Sequence, residues 1–154
     1  MSVKIRMATT EQDVETAIEL GRALHAESQF RDMPYNPDKL RALGTKVLSG
    51  NHGYLLILAE RDGVATGFIL AKLDRHFFSD ALAVNILVFY VHATARGGVG
   101  AIKLMHGVRK WAQKNSASKI YVNATSRIQV NRIHKLMTRI GFEFCGGNYS
   151  FSVA

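Results

Sequence analysis

The sequence predicts an α/β (α+β) fold: a single domain over residues 1–154 with a mixed, mostly antiparallel sheet flanked by helices. Three observations lead there. Short alternating or continuously apolar runs stand beside longer stretches of helical periodicity. Asp62-Gly63 joins two apolar runs as a hairpin. A glycine-rich turn, Arg96-Gly97-Gly98-Val99-Gly100-Ala101, separates an apolar run from a basic amphipathic stretch. No repeat, low-complexity tract or linker divides the chain.

Val3, Ile5 and Met7 alternate on one face and predict a first strand. Thr10 caps the helix that follows, with Glu11 and Asp13 in its first turn and an apolar stripe of Val14, Ala17, Ile18, Gly21 and Leu24. A loop from Gln29 leads to Asn36-Pro37, a helix start, because proline at the first helical position loses no needed donor. Leu40, Leu43 and Val47 continue that helix and Gly50 ends it.

Tyr54 to Glu60 and Val64 to Leu73 are the hairpin strands, and Leu82 to Val91 reads as a strand buried on both faces. The helix after the glycine turn runs to about Lys114, with Ile102, Met105, Val108 and Ala112 inward and Lys103, Arg109, Lys110 and Lys114 outward. Lys119 to Ala124 is a strand. Ser126 and Gln129 form a capping box for a last helix with Val130, Ile133, Met137 and Ile140 on its core face, ended by Gly141. Phe142 to Cys145 and Tyr149 to Val153 predict two closing strands around Gly146-Gly147.

Composition bounds the function. Hydrophobic residues make up 47% and charged residues 21%, as in an ordinary globular protein. The longest apolar run, Ala81 to Val91, is too short to span a bilayer as a helix, which takes about 20 residues, and no signal peptide is expected. The single cysteine, Cys145, permits no internal disulfide, so a cytoplasmic location is the expectation. As a residue, Cys145 reads as a small buried hydrophobe. Charge is unevenly placed: residues 1–80 carry ten Lys/Arg against eleven Asp/Glu, whereas residues 81–154 carry ten against one. The second half therefore suits a polyanionic partner, either a phosphorylated cofactor or nucleic acid.

The glycine turn sharpens this. Phosphate oxygens need several converging N–H donors; glycines let the backbone approach, and a helix amino terminus adds partial positive charge. The spacing excludes a P-loop, and a dinucleotide fingerprint would need a glycine where Lys103 stands and an acidic residue about 20 positions on. The segment resembles the pyrophosphate loop of the GNAT superfamily, the acyl-coenzyme A-dependent N-acyltransferases. That pattern, Arg/Gln-x-x-Gly-x-Gly/Ala, is met by Ala95 to Gly100, with Ala95 in the first place and Arg96 one place later. The order of elements resembles the same family, as does Arg139-Ile140-Gly141-Phe142 at the end of the last helix. The ending from Gly146 to Tyr149 is similar to that of phage-encoded members.

The resemblance implies acetyl-coenzyme A as cofactor, held by Ala95, Arg96, Gly97, Gly98, Val99, Gly100 and Ala101. It also implies that Val88, Phe89 and Tyr90 lie on a splayed strand along the pantetheine arm, with Asn131 early in the last helix. The family's frequent proton-donating tyrosine falls on Met137, which reads as core, and its frequent strand glutamate on Val84. Glu27 is then the candidate base and Tyr90 a second catalytic candidate, with Asp32, Asp80, His92 and Tyr149 behind them. His92, His106 and His134 match no zinc spacing, so no metal is expected. The leading function is transfer of an acetyl group to a primary amine of a small molecule or protein. Alternatives are an amine carried on nucleic acid, such as an aminoacyl-tRNA, and a non-catalytic coenzyme A-binding module. A homodimer stays open, and no membrane partner is expected.

Overall fold

Five strands pair in chain order into one sheet, β1 (Val3–Met7), β2 (Tyr54–Arg61), β3 (Val64–Arg75), β4 (Leu82–Val91) and β5 (Lys119–Val122). The first four are mutually antiparallel and β5 runs parallel to β4. The computed structural model describes residues 2–153. Helices α1 (Glu11–Glu27) and α2 (Pro37–Ser49) precede β2, α3 (Gly100–Lys114) links β4 to β5, and α4 (Val130–Arg139) follows β5. The predicted mixed, mostly antiparallel sheet is thus observed.

Alternation along β2 explains the two cores. Leu55, Ile57 and Ala59 point to one face, where they meet Leu104, Met105 and Val108 of α3. Leu56 and Leu58 point to the other, where they meet Val14 and Ile18 of α1 with Phe68 and Tyr90. Thr10 caps α1 through a capping box with Asp13, Asn36 caps α2 ahead of Pro37, and Gly50 ends α2 at φ 73°. Asp62 and Gly63 take φ 52° and 78°, the left-handed pair that a two-residue hairpin needs. Gly67 of β3 has a different reason: a Cβ there would lie 2.6 Å from the Tyr90 carbonyl oxygen. Gly67→Ala should cost about 1–3 kcal/mol through this overpacking, measured by urea unfolding; an unchanged midpoint would contradict the close approach.

Several expectations are corrected. Phe142 to Cys145 and Tyr149 to Val153 form no strands; Phe144, Tyr149, Phe151 and Val153 are exposed, and so is Cys145. Alternation gives a segment the capacity to pair, but no strand of the sheet takes it up as a partner. The Ser126–Gln129 box does not open α4. Gln129 is left-handed (φ 44°) without a side-chain cap bond, and the Ser126 hydroxyl accepts instead from Ile128 N–H. On α3, Leu104 packs inward while Ile102 is exposed, and Val130 is exposed on α4. β4 is not buried throughout, for Leu87 is 50% exposed. Met137 packs half-buried against the α3-side core, as expected.

Candidate active site

The Leu87 exposure marks the start of the site. β4 pairs with β3 through Ile86↔Ala71 and then Val88↔Leu70, so Leu87 is bulged out of the ladder. On its other edge β4 pairs with β5 only as far as Ile86↔Val122, and beyond that point the two parallel strands part. His92 N–H donates to the Thr66 carbonyl, so by alternation Tyr90 also turns its backbone to β3 while Phe89 and Val91 face the split. The Val91 carbonyl accepts from Arg96 Nε (2.9 Å), which fixes that orientation. Phe89 therefore offers backbone to a ligand in the split. Val88 and Tyr90 would meet one through side chains.

The glycine turn closes one end of the split. His92 caps the short 3₁₀ turn Ala93–Ala95, Ala95 is buried beneath the loop, and Gly97 takes φ 88°. α3 starts at Gly100 with no side-chain cap, and its first intrahelical acceptor, the Val99 carbonyl, serves Lys103 N–H. The N–H groups of Gly100, Ala101 and Ile102 thus lack partners inside the helix. A Cβ on Gly97 would lie 3.1 Å from the Arg132 guanidinium, and one on Gly98 3.2 Å from that of Arg61. Bare glycine backbone, free helix N–H groups and two flanking guanidiniums fit a pyrophosphate. Sequence reasoning missed Arg61 at the hairpin and Arg132 on α4; no local signal brings either to the turn, since the β2–β3 hairpin and α4 do so in space.

Arg96 itself turns to Glu27. Its guanidinium pairs with both carboxylate oxygens (2.8 Å to Oε2, with the second contact to Oε1). Tyr90 Oη donates to the same Glu27 Oε2 at 3.1 Å. The two candidate catalytic residues, 63 positions apart, are thereby brought into one cluster. Hydrogen bonding from Arg96 lowers the Glu27 pKa below the ordinary carboxylate range, and burial beside anionic Glu27 pushes the Tyr90 hydroxyl up to about 12.

Two cavities adjoin here. A cleft of about 110 Å³ lies against Phe89, Val91, Arg96, Gly97, Gly98 and Arg132. A larger cavity of about 330 Å³ lies between α1, α2 and the sheet, and shares Leu24, Phe89, Ser126 and Ile133 with the cleft. Asn131 is exposed and lines neither, and Val99 is half exposed on the loop. Tyr149 stands out in solvent. Among the described residues no cluster of His, Cys, Asp or Glu could hold a metal, and no helix is long and apolar enough to cross a membrane.

The fold matches solved structures over its full length. The aminoglycoside N-acetyltransferase AAC(6')-Iy in complex with CoA is 22% identical with TM-score 0.75, covering 98% of this chain and 94% of that one. A transcriptional regulator from Bacillus halodurans C-125 is 18% identical with TM-score 0.79, over 98% and 99%. A ribosomal-protein-alanine N-acetyltransferase from Brucella melitensis biovar Abortus 2308 is 20% identical with TM-score 0.71, over 99% and 100%. At such identities these likenesses carry the fold alone. No curated protein matches by sequence. The family model described as acetyltransferase (GNAT) family matches residues 17–142, and the chain belongs to that family, an N-acetyltransferase that uses acetyl-coenzyme A.

Proposed function

We propose that the protein acetylates a primary amine of a small molecule. The observation that carries this reading is the split in the sheet, which lies between an anion-binding turn and a largely apolar cavity that shares walls with it. Backbone groups of Phe89 would pair with the pantetheine arm, and Gly97, Gly98, Gly100 and Ala101 would hold the pyrophosphate between Arg61 and Arg132. When bound, the thioester supplies an acyl carbon open to attack by a neutral amine.

Tyr90 Oη, whose pKa is held up, keeps its proton at neutral pH, and on turning from Glu27 Oε2 to the thioester it would donate that one proton's hydrogen bond to sulfur as charge grows there. Glu27 takes the proton of the amine through water. Its partner Arg96 belongs to the turn, and drawing this guanidinium from the carboxylate to a bound phosphate would restore basicity to Glu27. Glu27→Gln should lower kcat by roughly 10²–10⁴, while the thermal shift induced by acetyl-coenzyme A persists. Tyr90→Phe should have a smaller effect. Full activity in Glu27→Gln would remove it as the base.

A small acceptor is favoured over a nucleic-acid-bound one because several basic groups are engaged within the chain. Arg109 donates to the Ile140 carbonyl and lies over the Phe142 ring, Lys103 Nζ donates to the Val3 carbonyl, and Arg132 faces the turn. We place the reaction in the cytoplasm, where the exposed Cys145 thiol stays reduced.

A further inference from the structure

We propose that the larger cavity receives a primary amine borne on a single apolar body, and that His25 Nε2 accepts a hydrogen bond from its nitrogen. The inference rests on the small-amine reading above and names the class of amine. The walls come from α1 (Val14, Ile18), α2 (Leu40, Val47) and the sheet (Leu56, Phe68), and no Asp, Glu, Lys or Arg lines the cavity. An acceptor carrying several ammonium groups would have to shed their water with no counter-charge in reach. The nearest carboxylate of the cluster, Glu27, is paired with Arg96, and the Arg22 guanidinium lies 5.1 Å over the Tyr35 ring at the cavity wall. Polycations are therefore disfavoured twice, by desolvation and by repulsion.

One polar atom on this wall is unsatisfied. His25 Nε2 is shut off from solvent with no hydrogen-bond partner among the described residues. Its ring rests tilted against Tyr35, 5.1 Å between centroids, and the Tyr35 hydroxyl is itself committed to the Ile18 carbonyl (2.7 Å). A buried nitrogen without a partner is costly, and turning the ring into the cavity it lines would let an incoming amine N–H satisfy it. The cavity shares Leu24, Phe89, Ser126 and Ile133 with the cofactor cleft, so an amine held in it lies beside the space for the acyl end. Across the top, Gln29 N–H donates to the Ser126 carbonyl (2.9 Å) and the Gln29 side-chain amide bonds the Thr125 carbonyl. This strap ties the loop after α1 to the segment after β5, and Ser28, Phe30, Thr125 and Ser126 on its two sides line the cavity.

The test compares phenethylamine, kanamycin and the tripeptide Phe-Ala-Ala as acceptors, together with their effects on melting temperature without cofactor. Phenethylamine should show kcat/KM at least about tenfold above both, a difference of about 1.4 kcal/mol, and should alone raise the melting temperature. Val47→Phe, which fills the cavity from α2, should remove that rise and leave the shift with acetyl-coenzyme A intact. His25→Leu should raise KM for phenethylamine about three- to tenfold, the range for one lost hydrogen bond, with partial recovery in His25→Gln. Equal or faster transfer to kanamycin or to the tripeptide would overturn the apolar class while N-acetyltransferase activity stands. Transfer to none of the three, with no shift from phenethylamine, would overturn this proposal and the small-amine reading together.

Discussion

Acetyl-coenzyme A at about a hundred times its dissociation constant should stabilise the protein by about 2.7 kcal/mol, and Gly98→Val should abolish the effect. Gly98 has no positive φ, so valine fits its backbone; the new side chain points at the Arg61 guanidinium and stands in the space between turn and charge. The free variant should therefore fold, and the loss should appear in the ligand-induced shift measured by scanning fluorimetry. Gly97→Val differs, because at φ 88° a β-branched residue is strained before any ligand arrives. Arg61→Glu and Arg132→Glu should each weaken binding, and increasingly so at low salt, where screening is least. A wild-type shift preserved in Gly98→Val would mean the phosphates bind elsewhere.

The second large effect lies far from the chemistry. Asp13 is 5% exposed and accepts from Arg6 (2.6 and 3.0 Å), Thr9 N–H (2.9 Å) and Thr10 N–H (3.2 Å). Asp13→Ala strips both amides and half of the Arg6 pairing, leaving the arginine with Glu60. A loss of about 2–4 kcal/mol is expected, or roughly 5–15 °C in melting temperature for a chain of this size. The same carboxylate sets an acid limit. Arg6 hydrogen bonds hold its folded-state pKa well below the unfolded value of about 3.9. Its contribution is therefore complete above that value and fades as the pH falls through the lower folded one. Wild type should lose stability below about pH 4, and Asp13→Ala should lose less over the same interval. Parallel acid profiles for the two proteins would contradict this assignment.

Caps, hairpin and strand–turn–helix unit were legible because each is local. Thr10, Asn36-Pro37, Asp62-Gly63 and the glycine turn all act within a few residues of themselves. The closing strands were misread because Phe144, Tyr149, Phe151 and Val153 alternate without a strand that takes them up. The site was legible only in part, and for the same reason. The turn announces itself, but Arg61 and Arg132 reach it from a hairpin and a helix remote in sequence. Glu27 and Tyr90 were named separately, and nothing in their spacing shows that Arg96 would pair with Glu27 or that burial beside this carboxylate would hold Tyr90 protonated. His25 carries no sequence signal, since an unpartnered nitrogen exists only once the ring is packed.

The parting of β4 from β5 also sets a pattern in time. Within an ordinary central strand every amide is locked and exchanges its proton only on global opening. Here the Phe89 and Val91 amides face the gap, while Val88 and Tyr90, their immediate neighbours, are bonded to β3. Deuterium should therefore enter β4 at alternate positions, fast at Phe89 and Val91 and slow between them. Occupying the gap should erase the alternation, so that strand reports its own ligand amide by amide.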